Sequence, residues 1–345
     1  MSTFPAKLTR LPADPEGFSE LTEPYRRELQ VHCYRILGSL HEAEDMVQET
    51  MLKAWKRIDT YEGRASVRAW LYKIATNTCL DFLDSKRSRR LLPFQVNAAS
   101  DPLSPIQPPS PELTWLEPLP DEWLEDANAV NPEARYSESE SVSLAFLTAL
   151  QILPPRQRAV LILRDVLDFP AQETAEVLEL TVSSANSALH RARKAISQHY
   201  QGDAMPAKRL APADEISKQL LDHYVRVWES ADIAGLVALL KQDAILAMPP
   251  SPSWYRGRTA IEKFSSVTFF GAEGMFTGIA KNRWRLIPTR ANASPAFAIY
   301  IRNAEGKYEA FGLQVLEFSG REISIITNFI DATLLPRFGL PKSLA

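Results

Sequence analysis

Asp45-Met-Val-Gln-Glu-Thr-Met-Leu-Lys-Ala-Trp55 and, a short loop later, Trp70-Leu-Tyr-Lys-Ile-Ala-Thr-Asn77 carry the reading of this chain. Over residues 42–58, Ala43, Met46, Val47, Thr50, Ala54 and Ile58 recur at helical spacing and predict the core face of a helix. Asp45, Gln48, Glu49, Leu52 and Lys56 share its opposite face. Leu52 is the odd member, an apolar side chain among acids and amides. It fits a solvated helix with one stray leucine, or a docking face for another protein's helices.

The following segment separates the two readings. Ser66 is placed to cap a helix, and Val67, Leu71, Ile74, Thr78 and Phe82 give that helix a buried stripe. Arg64, Arg68, Trp70, Tyr72, Lys73 and Asn77 are predicted on its exposed side. Cations neutralise phosphates, and aromatic rings and an amide receive unstacked bases, so the mixture suits single-stranded nucleic acid better than a duplex groove.

These two stretches resemble region 2 of the extracytoplasmic-function (ECF) sigma factors of bacterial RNA polymerase, over roughly Glu20 to Arg90. The resemblance implies that Asp45, Gln48, Glu49 and Leu52 dock on the clamp helices of the polymerase's largest subunit. It implies that Arg64, Arg68, Trp70, Lys73 and Asn77 hold the melted minus-10 strand, Asn77 beside a flipped base. Capturing extruded bases offsets the few kcal/mol of unstacking per step, so binding and melting become one event.

Downstream, Leu153-Pro-Pro-Arg-Gln-Arg-Ala-Val-Leu-Ile-Leu163 opens a helix with proline, where a missing amide costs nothing. A second helix near 171–180, a tight turn at 179–182 and a third helix over 183–198 predict a helix-turn-helix. Ala185, Leu189, Ala192 and Ile196 form the core stripe of the third helix. Ser183, Ser184, Asn186, Ser187, His190, Arg191 and Lys194 are left for DNA, a polar and basic set without an acid. The segment resembles sigma region 4, which implies minus-35 recognition by these seven residues and a contact with the flap of the second polymerase subunit. The family commonly carries basic residues where Asn186 and Ala188 stand, so the promoter sequence is not transferable from relatives.

Between the two helical segments, Pro93 to Pro132 collects nine prolines, and Glu112 to Glu140 is strongly acidic. Proline at this density sustains neither helix nor inner strand and predicts a linker over 91–136. Trp115, Leu116, Trp123 and Leu124 are wasteful in a free tether and predict that parts of it lie in a groove of a partner. By the family resemblance, that groove is the polymerase's RNA exit path.

The texture changes after a Pro/Ala/Gly hinge at 202–213. Residues 214–241 read as helical, and 244–248, 282–289, 296–302, 308–318 and 321–329 read as strands. Pro249-Pro-Ser-Pro-Ser-Trp-Tyr-Arg-Gly-Arg258 resembles the SnoaL-like domain, a cone-shaped α+β barrel of the nuclear-transport-factor-two-like (NTF2-like) fold, as fused to sigma factors of the sigma G and sigma J type. Tyr224, Trp228, Met248, Trp254, Trp284, Tyr300 and Gln314 either line a small-molecule cavity in that cone or pack it shut. His223, Asp243 and Asp331 are its candidate acid–base groups, unpaired in sequence and hence expected as caps or surface residues.

The expected architecture is multidomain: region 2 helical bundle (18–90), linker (91–136), region 4 helix-turn-helix (137–201) and SnoaL-like domain (214–341). A net charge of -3 excludes a protein that coats nucleic acid indiscriminately, while local basic blocks fit a modular DNA binder. No apolar run reaches membrane-spanning length and residues 1–18 do not read as a secretory signal, so a cytoplasmic, non-membrane protein is expected. Cys33 and Cys79 read as reduced core residues, and neither metal nor cofactor is expected. The function expected is promoter-directed transcription initiation without catalysis, the C-terminal domain acting in cis by packing on the sigma domains or dimerising. The alternatives are a SnoaL-type small-molecule enzyme and a ligand-sensing DNA-binding regulator.

Overall fold

A computed structural model describes residues 12, 14–61, 63, 65–86, 89–125, 138–202, 215–271 and 281–344. The chain folds as two compact units, Met1–Arg90 with Asp121–Asp203, and Leu91–Pro120 with Ala204–Ala345. The linker expected over 91–136 is therefore divided. Residues 91–120 belong with the C-terminal unit, while residues 126–137 and 203–214 lie outside the described residues, and with them all of the hinge expected at 202–213 except Gly202, which ends a helix.

The first unit is helical. α1 (Pro15–Thr22) starts on Asp14, whose Oδ1 accepts from the Gly17 amide at 2.8 Å. α2 (Arg26–Leu37) stops at Gly38, held at φ 74°, a left-handed conformation that glycine adopts without strain. Ser39 then caps α3 (Leu40–Lys56), and Ser66 caps α4 (Val67–Lys86) as expected, its Oγ accepting from the Ala69 amide at 3.1 Å. Of the predicted stripe on α3, Ala43, Val47, Thr50 and Ala54 are buried, whereas Met46 and Ile58 are half-buried. Cys33 and Cys79 are free thiols with no exposed surface.

α5 (Glu122–Glu125) buries Trp123 beneath the Arg27 guanidinium, 4.6 Å from the ring centre. α6 (Glu138–Ser141), α7 (Leu144–Gln151) and α8 (Pro155–Leu161) follow, α8 widening into a π-helical turn over Ile162–Val166. The helix-turn-helix is α9 (Ala171–Leu178) and α10 (Val182–Gly202), and all four residues of the predicted α10 stripe are buried.

Arg158 ties the two halves of this unit together, 2% exposed on α8. Its Nη1 donates to the Ile36 carbonyl at the end of α2 and to Gln151 Oε1 at 2.8 Å. Its Nη2 donates to the Gln151 and Leu153 carbonyls at 3.4 and 3.3 Å. Helix ends leave carbonyls without intrahelical partners, and one guanidinium satisfies several of them at once. Burial, with Arg89 nearby, draws its pKa down to about 9, so it remains a cation at neutral pH. Arg35 adds a second tie, Nη2 donating to Ser141 Oγ at 2.9 Å.

In the second unit, β1 (Arg90–Leu91) pairs with β2 (Thr114–Trp115). The expected helical stretch 214–241 is broken into α11 (Glu215–Ser230) and α12 (Ile233–Leu239), because Ala231 takes a positive φ and Asp232 caps the second helix. Then come β3 (Leu240–Ala247), β4 (Trp254–Arg256), α13 (Arg258–Thr268), β5 (Trp284–Ala291), β6 (Ser294–Arg302), β7 (Tyr308–Ser319), β8 (Glu322–Phe329) and β9 (Ser343–Leu344). They form one mixed sheet in the order β4-β3-β8-β7-β6-β5, with β9 on β7 and only β3–β8 parallel. Its core joins Tyr224, Val227 and Trp228 of α11 and Ile261 and Phe264 of α13 to Trp284, Phe297 and Leu316 of the sheet. At Gly312 of β7 a Cβ would lie 2.3 Å from the Phe329 carbonyl, so only glycine fits.

Two outcomes are expected in equilibrium denaturation of the full chain. Arg158→Leu strands the Ile36, Gln151 and Leu153 carbonyls and costs the helical unit about 3 kcal/mol. His32, fully buried with its Nε2 on Thr76 Oγ1 at 2.8 Å, has its pKa lowered from 6.5 to about 3 by burial and then by Arg35 and Arg68. The unfolded chain therefore takes up a proton that the folded one refuses. Stability is full above about pH 6.5 and declines as the pH falls towards 3, and His32→Gln flattens that slope.

Candidate nucleic-acid and polymerase interfaces

The outer face of α3 is assembled by what its other face buries. Val47, Thr50 and Ala54 turn inward, which leaves Asp45, Gln48, Glu49 and Leu52 exposed together. Leu52 is 55% exposed, one of few large apolar side chains so placed among the described residues. Glu49 pairs with Lys53 at 3.7 Å and Asp45 faces His41 at 3.8 Å, exposed contacts of small energetic weight that leave the face open.

α4 carries Arg68, Trp70, Lys73 and Asn77, all half-buried, while Arg64 lies outside the described residues. Trp70 packs edge-on to Tyr61, ring centres 5.5 Å apart. Arg68 pairs with Glu28 and lies over the Tyr72 ring at 4.8 Å. Tyr72 itself is not on an exposed side. It is fully buried against His32, its hydroxyl donating to Glu28 Oε1 at 2.7 Å, and burial followed by Glu28 raises its pKa well above normal. The predicted stripe was too narrow because α4 is covered twice, by α2 and α3 on one side and by α9 on another. That second cover reaches the candidate DNA residues. Asn77 Nδ2 donates to the Val177 carbonyl at 3.1 Å, and Lys73 Nζ stands 3.7 Å from Glu179 Oε1.

On α10, Ser183, Ser184, Asn186, Ser187, His190, Arg191 and Lys194 are all exposed. Ser183, Asn186, Ser187, His190 and Arg191 line one shallow recess along the helix with Val182. Two further positions on this helix serve the core. Arg193 is turned to the buried Asp165, Nε to Oδ2 2.9 Å, and anchors α10 instead of facing outward. Ala188 is 6% exposed, so that position packs the core and is not an open place for a phosphate contact.

Of the linker residues expected in a partner's groove, Trp115 and Leu116 are buried within the C-terminal unit and Trp123 within the helical unit, and the rest of residues 91–120 is held by the C-terminal unit as well. Trp254 Nε1 donates to the Asn97 carbonyl at 2.9 Å, and the Ser100 amide donates to the Trp254 carbonyl at 2.8 Å. Gln107 N–H donates to Ser253 Oγ at 3.0 Å, and Ser251 Oγ donates to the Gln107 carbonyl at 2.8 Å. Farther on, Leu119 and Asn292 exchange two bonds of 2.9 Å at the two-residue turn between β5 and β6, where Asn292 and Ala293 both have positive φ. Proline removes amide donors and disfavours regular structure, so amides and carbonyls that the segment's own short turns leave over find partners on the strand edges and turns of this domain.

Of the seven residues expected to line or pack the cone, Tyr224, Trp228, Met248 and Trp284 are in its apolar core, and Gln314 joins them by accepting from the Tyr224 hydroxyl at 2.6 Å. Gln314 Nε2 in turn donates to Asn328 Oδ1 at 2.6 Å. Trp254 and Tyr300 are placed differently. Trp254 serves the linker, and the Tyr300 hydroxyl donates to the Pro341 carbonyl. The face assignment failed for Tyr300 because both faces of β6 are buried, which hides the strand's alternation. Phe264, Phe269 and Phe297 fill much of the interior, with Tyr224 stacked on Phe297 at 5.5 Å and Trp228 against Phe269 at 5.4 Å. The acid–base candidates point elsewhere: His223 is exposed, Asp243 pairs with Lys241 at 3.1 Å, and Asp331 caps a 3-10 helix. No group of three or more metal-ligating side chains, and no helix long and apolar enough to cross a membrane, occurs among the described residues.

Comparison with known proteins follows the same division. Residues 21–89 match the family Sigma-70 region 2, and residues 143–196 match Sigma-70, region 4. The chain is 44% identical over 338 residues to the ECF RNA polymerase sigma factor SigG of Mycobacterium tuberculosis, covering 97% of this chain and 87% of that one. It is 27% identical over 183 residues to the ECF sigma factor SigW of Bacillus subtilis, covering 53% of this chain and 88% of that one. The crystal structure of the M. tuberculosis ECF sigma factor SigJ shares the fold, with a TM-score of 0.55, 20% identity, and coverage of 94% of this chain and 99% of that one.

The linker seat yields a direct expectation. Trp254→Ala removes the indole donor and the ring beside Phe94, so proteinase K cleaves within residues 97–108 about tenfold faster, read by mass spectrometry. An unchanged cleavage rate contradicts the seat.

Proposed function

Because this chain belongs to the extracytoplasmic-function sigma factors of RNA polymerase, we propose a division of that work among the surfaces described above. The factor directs core polymerase to promoters through two DNA-reading faces and one docking face. Asp45, Gln48, Glu49 and Leu52 meet the clamp helices of the largest subunit, where Leu52 is desolvated and the acids and Gln48 orient it. Arg68, Trp70, Lys73 and Asn77, with Arg64, take the unpaired minus-10 strand by charge, stacking and amide hydrogen bonds. The exposed polar and basic face of α10 takes the minus-35 duplex, Asn186 being suited to adenine and Arg191 to guanine or phosphate. The single observation that carries this reading is the exposed Leu52 in its acid and amide surround.

The C-terminal domain tunes this activity in cis through the linker it holds. Its candidate acid–base groups are spent on the surface or on a cap, which favours a regulatory over a catalytic role. The work is placed in the cytoplasm, where core polymerase and promoter DNA are.

Run-off transcription with purified core polymerase, the full chain and a genomic promoter library tests the assignment. Promoter-specific transcripts are expected to fall at least about tenfold when Gln48 and Leu52 are both replaced by alanine, since a central apolar anchor is worth about 1.5–2 kcal/mol or more at an interface. Full transcription by that double variant contradicts the docking face. Transcripts that rise with Trp254→Ala make the held linker a restraint, and transcripts that fall make it a support.

A further inference from the structure

Three contacts converge where α9 ends against α4. The Val177 carbonyl, in the last turn of α9 and so without an intrahelical donor, accepts from Asn77 Nδ2 at 3.1 Å. The Glu179 carboxylate, just past the helix end and 74% exposed, stands 3.7 Å from the Lys73 ammonium. The Phe169 ring, in the loop leading into α9, has its centre 5.4 Å from the Arg68 guanidinium and 5.3 Å from the Tyr72 ring. The C-terminal end of a helix is also the negative pole of its dipole, directed here at a cationic face.

We propose that the end of α9 is a built-in stand-in for single-stranded DNA. It offers an oxygen acceptor to the amide meant for a base, a carboxylate to the ammonium meant for a phosphate, and a ring to the guanidinium meant for a base plane. The closed helical unit thus covers its own strand-capturing face, and α9 must leave before a promoter strand can enter. This rests on the assignment of α4 to single-stranded DNA made above.

Size independently requires the opening. Elements named minus-10 and minus-35 are about 25 base pairs apart, about 80 Å along the duplex. A compact unit of about 170 residues is about 40 Å across. One closed unit cannot touch both elements. The ion pair in the cover is also weak enough to exchange, since Lys73 and Glu179 are 43% and 74% exposed and such pairs are screened by water and salt. The firm ties, Arg158 and Arg35, lie elsewhere in the unit, so the cover can loosen at its own edge first.

The test is fluorescence anisotropy of the full chain with a fluorescein-labelled, random-sequence single-stranded DNA 12-mer at low salt. Glu179→Asn removes the carboxylate and suits the positive φ of 54° at that position. Glu176→Gln, on the exposed side of the same helix, removes an equal charge without touching Lys73. Glu179→Asn is expected to tighten binding about threefold and Glu176→Gln to leave it unchanged, the ratio that loss of one exposed pair plus its neighbour allows. Adding Phe169→Leu to Glu179→Asn raises the gain to about tenfold. Trp70→Leu, on the same face but outside the cover, reports whether that face binds DNA at all. Wild-type affinity in Glu179→Asn and in the double variant, with weaker binding in Trp70→Leu, overturns the stand-in and leaves the face assigned. Equal gains from Glu179→Asn and Glu176→Gln reduce the effect to net charge and overturn it as well. Indifference to Trp70→Leu in every background overturns the face assignment, and the stand-in with it.

Discussion

The helical unit depends on one buried cation. Arg158 sits among the ends of α2, α7 and the turn into α8, and donates to carbonyls that helix termini leave without partners. A guanidinium only 2% exposed is costly unless acceptors surround its terminal nitrogens. Here those acceptors belong to two segments far apart in sequence, so Nη1 and Nη2 find all of them only when region 2 and region 4 are packed together. The fold of the free chain is thereby biased towards a closed helical body, and the interfaces have to be understood from that state.

Closure sorts the surfaces by accessibility. The face on α3 proposed for docking and the face of α10 proposed for duplex DNA are exposed in the closed body, whereas the α4 face proposed for the melted strand is in contact with α9. On the proposed assignment, polymerase is met before single-stranded DNA is. The C-terminal unit applies the same economy to the linker, which it seats by backbone hydrogen bonds through Trp254, Ser251, Ser253 and Asn292. Residues 97–108 form no helix or strand of their own that release would break, so their seat is exchangeable.

Much of this was legible from residue spacing and chemistry. The stripes Ala43–Val47–Thr50–Ala54 and Ala185–Leu189–Ala192–Ile196 announced their helices, Ser66 and Pro155 announced helix starts, and the polar face of α10 emerged exposed as read. What escaped was long-range. Tyr72 read as exposed because a stripe on one helix cannot reveal a second helix packed on its flank. The role of Arg158 left no mark in the sequence because its acceptors are mostly backbone carbonyls, which every residue carries. The fate of Trp254 and Tyr300 was hidden because aromatic residues on a doubly covered sheet look alike from either face. The destination of the linker was invisible because its partners lie on a domain more than a hundred residues away.

The central claim, a helical body closed when free and opened in use, is best tested by the distance between its halves. Spin labels on cysteines replacing the exposed Glu20 on α1 and Ser197 on α10 report it, because the native Cys33 and Cys79 are buried and stay unlabelled. Double electron–electron resonance of the full chain is expected to give one narrow distance when free, replaced by a longer one with core polymerase and promoter DNA. A broad distribution in the free chain, or an unchanged distance in a transcribing complex, would contradict the account.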